Sequence, residues 1–274
     1  MARQDANSIY INDTDKDKLA ETYGEVIEAV QKGAISEQIK NKNYSGDPST
    51  GSVEIDRFKN ATINDLGTAR TGGKGDQVKN TSKVTINVDT DKEIVEEIAK
   101  KDIKLYGITG IAEKRKANHI KRMIAYLDTQ FFAKAEAEGT EITPTVNAKT
   151  IAEKLEELIV SVETTVNDWV DGVDRDMLVV TVTPTVYSQL LNYIDSVPNS
   201  VTGLTDEYFH KVRIYSNHRQ TKSMICMIDG AVGQLVTTDE YDAEKIPLSN
   251  DIALELFFSK GTKAVMPDLI KFVA

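Results

Sequence analysis

Residues 52–90 read SVEIDRFKNATINDLGTARTGGKGDQVKNTSKVTINVDT, and this stretch decides which fold we predict. Its second half alternates Val84, Ile86 and Val88 with polar residues, which is the pattern of a strand with one apolar and one solvated face. A glycine-rich tip precedes that strand and consists of Thr71, Gly72, Gly73, Lys74 and Gly75. We therefore predict a long two-stranded arm that turns at this tip.

The predicted arm has no hydrophobic core of its own. An isolated two-stranded ribbon is at best marginally stable in water, so its apolar face must pack on another surface. The flanking sequence offers little apolar material for this purpose. We predict that Val84, Ile86, Val88 and the tip residues contact an identical subunit, which indicates a protein that assembles with copies of itself.

The composition is that of a folded globular protein, with 274 residues of which 40% are hydrophobic and 28% are charged. A net charge of -10 argues against sequence-independent nucleic-acid binding as the main task, because such binding depends on Lys and Arg. Neither a membrane-spanning stretch of roughly 18 apolar residues nor a signal peptide is recognisable. We expect a protein of a reducing cytoplasm, whose single cysteine, Cys226, is a buried strand residue.

The longest helix candidate covers about residues 110–138 and ends at Gly139, with Pro144 shortly after it. One face carries an apolar stripe. Basic residues cluster on and around the other face, namely Lys114, Arg115, Lys116, Lys121 and Arg122. Such a charge run is usually a solvated face, although it could contact nucleic acid or an acidic neighbour. A second helix is predicted over about 150–171, and a short helical stretch over 93–100.

The remaining sequence predicts a sheet with helices packed on it. Residues 177–182 read as a buried strand, after which Thr183 and Pro184 cap and begin a helix. Further strands are predicted over 211–216, 223–228, 252–259 and 263–265. Helices and strands mix without a regular βαβ repeat, which favours an α+β fold. Residues 1–50, by contrast, predict an extended arm that carries one short helix, which begins behind Asp13 and Thr14 and ends near Gly33.

The pattern of reactive side chains predicts no catalytic residue, no metal site, no cofactor and no enzyme activity. The three histidines, His119, His210 and His218, have no second ligand at zinc-binding spacing. A run of aspartates around Gly172, namely Asp168, Asp171, Asp174 and Asp176, lacks the ligand spacing and the closing Glu of a calcium loop. The glycine-rich tip lacks the pattern of a phosphate-binding loop.

In their order and character, these segments resemble the major capsid proteins of tailed bacteriophages with the HK97-like fold, over nearly the whole chain. By this resemblance residues 1–50 correspond to the N-terminal arm and residues 51–92 to the extended hairpin called the E-loop. Residues 93–176 correspond to the peripheral domain, with its spine helix at about 110–138. Residues 177–250 correspond to the axial domain, and residues 251–274 to strands that return to the peripheral domain.

The resemblance implies a structural subunit of an icosahedral head, which self-assembles into pentamers and hexamers that enclose double-stranded DNA. The implied partners are identical subunits, portal and scaffold proteins, and DNA held by weak non-specific contact, without a membrane. The implied location is the virion, assembled in the host bacterial cytoplasm, and the short N-terminal part implies a separate scaffold protein. Crosslinking between subunits, which some relatives show, is not inferred, because Lys74 and Lys79 have no identified acceptor.

Two alternatives stay open. One is the shell of an encapsulin-type nanocompartment, which has the same fold and needs a pocket for a cargo peptide. The other is a soluble acidic α+β enzyme or binding module in which the hairpin is a lid. The lid alternative predicts a stable monomer or dimer whose arm folds back on its own core.

Overall fold

The computed structural model describes residues 13–63, 65–66, 81–144, 150–196, 208–246 and 251–274. The helices are α1 (Asp13–Gly33), α2 (Ile35–Ile39), α3 (Lys100–Glu138), α4 (Ile151–Glu163) and α5 (Pro184–Ser196). The strands are β1 (Ser52–Phe58), β2 (Thr81–Asn87), β3 (Thr90–Ile98), β4 (Thr140–Glu141), β5 (Leu178–Val182), β6 (Tyr208–Phe209), β7 (Val212–Ser216), β8 (Met224–Ile228), β9 (Val232–Lys245), β10 (Ile252–Ala264) and β11 (Ile270–Val273). This mixture of elements confirms the predicted α+β class.

The chain folds into two compact units, each with its own hydrophobic core. Unit 1 comprises the described residues within Met1–Gln38, Asn87–Gln130 and Gln234–Gly261. Unit 2 comprises the described residues within Ile39–Ile86, Phe131–Gly233 and Thr262–Ala274. All five divisions between the units fall inside helices or strands.

Unit 1 consists of a three-stranded sheet with two helices on one of its faces. The strand order is β3-β10-β9, and β3 runs antiparallel to β10 with Ile98 opposite Ile252. Apolar residues of α1 recur every three or four positions, which places them on a single face of the helix. They enter the core with residues of α3 and β10, and its members include Leu19, Val26, Met123, Leu127, Leu254 and Leu256.

Two predictions for this part of the chain are wrong. The N-terminal helix predicted behind Asp13 and Thr14 and ending near Gly33 is confirmed by α1, but the prediction that it lies outside any domain is wrong, because its apolar face lies in the unit 1 core. Residues 93–100 were predicted to be helical, but β3 extends through Ile98 and pairs with β10. Pairing with β10, which lies far along the chain, outweighs the helical preference of this Glu-rich stretch.

The helix α3 confirms the predicted long helix and extends it towards the N-terminus. The extension contains a break, because Gly107 has φ 71° and ψ 163°, a conformation that is not helical and favours glycine. Beyond the break the helix continues to Glu138, as predicted. Within the described residues, every helix is too short or too polar to cross a membrane.

Unit 2 is built on a six-stranded sheet of order β4-β11-β8-β5-β7-β6. The strand β5 lies between β7, to which it is parallel, and β8, to which it is antiparallel. All five residues of β5 are buried, as expected for a nearly continuous apolar strand with both faces covered. Cys226 of β8 is also buried, and its burial raises the pKa of the thiol, so the predicted structural role is confirmed.

The predicted end of the second helix is corrected in this unit. The second helix ends at Glu163 and not near residue 171, and a tight turn with Gly172 in the left-handed region follows it. The final segment is divided between the two sheets. The strand β10 pairs with β3 in unit 1, whereas β11 pairs with β8 and β4 in unit 2.

Candidate functional site

The strands β1 and β2 pair with each other, which confirms the two strands of the predicted arm. The predicted tip residues, Thr71, Gly72, Gly73, Lys74 and Gly75, lie outside the described residues, as does Lys79. Their contact with a neighbouring subunit therefore stays a prediction.

The inner side of the arm packs on unit 2 itself. Ile86 is 1% exposed, and an added Cβ at Gly233 would lie 2.3 Å from its Cδ1 atom and 3.4 Å from Cδ1 of Ile55. The prediction that Ile86 contacts an identical subunit is therefore wrong, because its own chain already covers it. Val84 and Val88 are only partly buried, and their contact with a neighbour stays a prediction.

An ion pair holds the end of β1 to the C-terminal segment. The guanidinium of Arg57 donates two hydrogen bonds to the carboxylate of Asp268, at 2.7 and 2.6 Å. The Asn167 side-chain amide donates a third to the same carboxylate at 2.6 Å. The side chains of Arg57 and Asp268 are only 14% and 25% exposed. A two-point Arg–carboxylate contact of this kind is both strong and directional.

The single tryptophan, Trp169, completes the same cluster. The cationic groups of Arg57 and Lys59 lie 5.4 and 5.3 Å from the centre of its ring, within the range of cation–π attraction. Lys59 also donates to the carboxylate of Asp168 at 2.7 Å, and the main-chain N–H of Asn60 donates to the main-chain oxygen of Asp168. We call this cluster the arm root, defined by Arg57, Lys59, Asn167, Asp168, Trp169 and Asp268.

The arm root stays charged at neutral pH. Burial alone would raise the pKa of Asp268, but the hydrogen bonds from Arg57 and Asn167 outweigh it and hold that pKa below its usual range. A lowered pKa means that the contribution of the pair to stability is present above the ordinary pKa of an aspartate and is lost as the pH falls through the lowered value. The arm root therefore fixes the base of the arm at any pH from mildly acidic upwards.

We expect Asp268→Ala to loosen the arm root and to lower the free energy of unfolding by about 2–3 kcal/mol, because it leaves the mostly buried guanidinium of Arg57 without its charged partner. Denaturant unfolding measures the loss. The tryptophan fluorescence reports on the arm root directly, since Trp169 is the single tryptophan of the sequence. Quenching of this fluorescence by acrylamide should increase in the folded variant.

The matched control for this prediction is Asp176→Ala, which removes an exposed carboxylate from the one-turn helix Arg175–Met177 and should change stability by less than about 0.5 kcal/mol. Equal stability and equal quenching in the two variants would show that the root does not hold the arm.

Beyond the root, the outgoing part of the arm exposes apolar side chains. Phe58 is 58% exposed, and Ile63 and Leu66 are fully exposed. We call the described residues from 58 to 66 the outer limb. Single exposed apolar residues are common on protein surfaces, but three within nine residues form a concentration that normally marks a contact.

Sequence reasoning missed the outer limb and selected the return strand. The reason is that Phe58, Ile63 and Leu66 follow neither the two-residue period of a strand nor the period of a helix. The available signal was compositional: three large apolar residues stand in an otherwise polar stretch, FKNATINDL.

A shallow cleft of about 530 Å³ lies elsewhere on unit 2, after α4. Its apolar lining includes Val173, Met177, Ile228 and Met266, and Asp171 and Asp174 also border it. Within the part of the chain that the structure describes, no three His, Cys, Asp or Glu side chains are grouped so as to hold a metal ion. Of the aspartate run, Asp168 belongs to the arm root, Asp171 and Asp174 border this cleft, and Asp176 lies in neither place.

No protein-family model and no curated protein matches the sequence. Solved structures do match the fold. One is the capsid of the cyanophage P-SCSP1u, with 13% identity over 88% of each chain and a TM-score of 0.61. Another is a virus-like particle from Pyrococcus furiosus, with 12% identity over 94% of this chain and 98% of that chain and a TM-score of 0.58.

A third match is the capsid of an empty GTA particle, with 8% identity, a TM-score of 0.60, and coverage of 88% of this chain and 89% of that chain. At these identities the likeness concerns the fold. The predicted HK97-like capsid fold is therefore confirmed over most of the chain.

Proposed function

We propose that this chain is the structural subunit of an icosahedral phage head, which assembles into pentamers and hexamers that enclose double-stranded DNA. The observation that carries the proposal is the match to capsid folds along most of both chains, with 88% of each covered for cyanophage P-SCSP1u. The proposed role is structural and not enzymatic.

The arm supports this proposal physically. Its root is held by an ion pair and by two cations over Trp169, so the arm leaves unit 2 in a defined direction. Its outer limb carries three exposed large apolar side chains, of which Ile63 and Leu66 are fully exposed and Phe58 is 58% exposed. Covering each of them with a neighbouring subunit contributes roughly 1.5–3 kcal/mol, before the cost of ordering the contact. Repeated around a ring, such a contact favours a closed shell.

The remaining contacts are part of the same proposal. Val84, Val88 and the tip residues 71–75 add to the contact between identical subunits. Portal and scaffold proteins act as further partners, DNA is held by weak contact, and the assembled protein resides in the virion after assembly in the bacterial cytoplasm. The buried side chain of Ile86 agrees with the lid alternative, but the exposed outer limb favours a shell, because a lid would bury those residues on its own core.

The proposal is tested by expressing the chain with and without a candidate scaffold, followed by negative-stain microscopy and sedimentation velocity. We expect closed particles or tubes. A 30.3 kDa species that never associates under either condition would contradict the proposal and favour the lid alternative. Particles that form without a scaffold and that retain a specific protein cargo would instead identify an encapsulin-type compartment.

A further inference from the structure

Positive charge is concentrated in one short part of this acidic chain. Residues 100–122 contain eight Lys or Arg and two Asp or Glu, a net charge of +6, although the whole chain carries -10. From Lys114 to Leu127 there is no acidic residue at all. The charge of the protein is therefore segregated, and the basic part lies in α3 within unit 1.

After the break at Gly107, the exposed basic residues of this stretch lie on one side of α3. Lys121 and Arg122 follow Lys114 by seven and eight positions, which places all three on the same side of the helix, two turns apart. Between them lie the small exposed residues Ala117 and Asn118. We call these five residues the basic face. The opposite side of the helix is buried in the unit 1 core.

The inward basic residues of α3 are neutralised inside unit 1, whereas those of the basic face are not. Arg115 donates to the carboxylate of Glu96 on β3, and Lys116 forms ion pairs with Glu25 of α1 and with Glu113. Lys121 and Arg122, by contrast, form no ion pair with any residue that the structure describes.

Lys114 keeps its positive charge as well. Its ammonium lies 3.3 Å from the centre of the Tyr106 ring, a contact that orients the cation without neutralising it. Three uncompensated cations therefore stand on the basic face.

The other side of unit 1 carries the opposite charge. Glu96 points towards α3, so strand alternation places Glu93 and Glu97 on the far face of the sheet, where both are exposed. Glu255 is paired directly with Val95 in the register of β3 and β10, and it therefore shares that face. The face of the sheet that points away from the helices is therefore acidic, whereas the basic face of α3 lies on the helix side of unit 1.

We infer that the basic face binds the phosphate backbone of double-stranded DNA and so marks the side of the subunit that faces the interior of the shell. This inference rests on the proposed function for the presence of DNA. Its three cations span about 12 Å at 1.5 Å per residue, a length over which a duplex presents several phosphates. The small side chains of Ala117 and Asn118 allow the backbone to approach. Three contacts give a weak, sequence-independent interaction, in keeping with the overall acidity of the chain.

The test measures binding of unassembled subunits to a fluorescent DNA duplex of about 30 base pairs as salt is varied. Three phosphate contacts predict a slope of log K against log salt of about -2.7, and hence a loss of affinity of about 40-fold between 50 and 200 mM salt. In the variant with Lys114→Gln, Lys121→Gln and Arg122→Gln, the slope should fall to near zero and the affinity at low salt should drop correspondingly.

The matched control removes three exposed lysines from α1, by Lys16→Gln, Lys18→Gln and Lys32→Gln. It changes the net charge by the same amount and should leave the slope nearly unchanged. Unchanged circular dichroism and melting temperature establish that both variants are folded. Equal losses in the two variants, or no loss in the basic-face variant, would overturn the inference.

A Glu-rich peptide of the same net charge as the duplex distinguishes a protein partner from DNA. Binding of that peptide by the basic face without binding of the duplex would overturn the inference in favour of an acidic protein segment. Shell formation is scored separately on the same preparations. Formation of shells by a protein whose basic face does not bind the duplex would refute this inference alone. Failure to form shells under any condition would refute the proposed function.

Discussion

Gly261→Ala is expected to lower the free energy of unfolding by about 3 kcal/mol or more, which is among the largest effects a single added methyl group can have. An added Cβ at this position would lie 1.9 Å from the main-chain oxygen of Asn87 and 3.2 Å from Cα of Val88. These are backbone atoms, so no side-chain rotation can relieve the overlap. The N–H of Asp89 donates to the main-chain oxygen of Lys260 at 3.2 Å, which holds the two segments together.

Denaturant unfolding of Gly261→Ala checks this value. The control is Gly24→Ala, because Gly24 lies on the exposed side of α1 and an added Cβ would meet no atom within 4 Å. Alanine there should stabilise the protein by about 0.5–1 kcal/mol, since glycine inside a helix is unfavourable. Substitution of glycine by alanine is thus expected to lower the free energy of unfolding at Gly261 and to raise it at Gly24. A Gly261→Ala protein as stable as the parent would show that β10 does not approach Asn87 as closely as described.

The largest effect on assembly is expected from the triple variant Phe58→Ser, Ile63→Ser and Leu66→Ser in the outer limb. If each apolar side chain contributes at least about 1.5 kcal/mol to the contact, their loss weakens it by at least about 4.5 kcal/mol, or roughly 1,000-fold. The subunit itself should keep its stability within about 0.5 kcal/mol, because these side chains are exposed in it. Sedimentation velocity and negative-stain microscopy should therefore find soluble subunits and no particles.

A second triple variant separates apolar burial from the other effects of changing the limb. Phe58→Leu, Ile63→Leu and Leu66→Ile keep the three side chains apolar and should preserve particle formation, with at most a moderate increase in the subunit concentration that assembly requires. Normal particles from the serine variant would show that the outer limb does not form a contact between subunits. Loss of particles from both variants would indicate that the shape of the limb matters more than its apolar area.

Local patterns in the sequence were sufficient for the elements whose signals are contained in a few adjacent residues. The end of α3 at Glu138 followed from its apolar stripe and from Gly139. The buried strand β5 and the helix that begins at Pro184 followed from a nearly continuous apolar run and a proline at the first helical position. The class of fold and the presence of a two-stranded arm followed from the order of such elements.

The arm root could not be predicted in this way. Arg57 and Asp268 are separated by 211 positions, and each is an ordinary charged residue in its own surroundings. Their pairing becomes strong only where the fold brings them together and largely removes them from water. The same holds for Ile86, whose alternating pattern shows an apolar face but not which surface covers it.

What the sequence by itself determined is therefore the set of periodic elements and the charge segregation of α3. Tertiary structure decided three further points: that residues 93–98 form a strand, that α1 belongs to a core, and that β11 joins the sheet of β5 and β8. The physical reason is common to all three. The hydrophobic periodicity of a helix or strand indicates which of its faces is buried. The surface that covers this face depends on contacts between residues far apart along the chain.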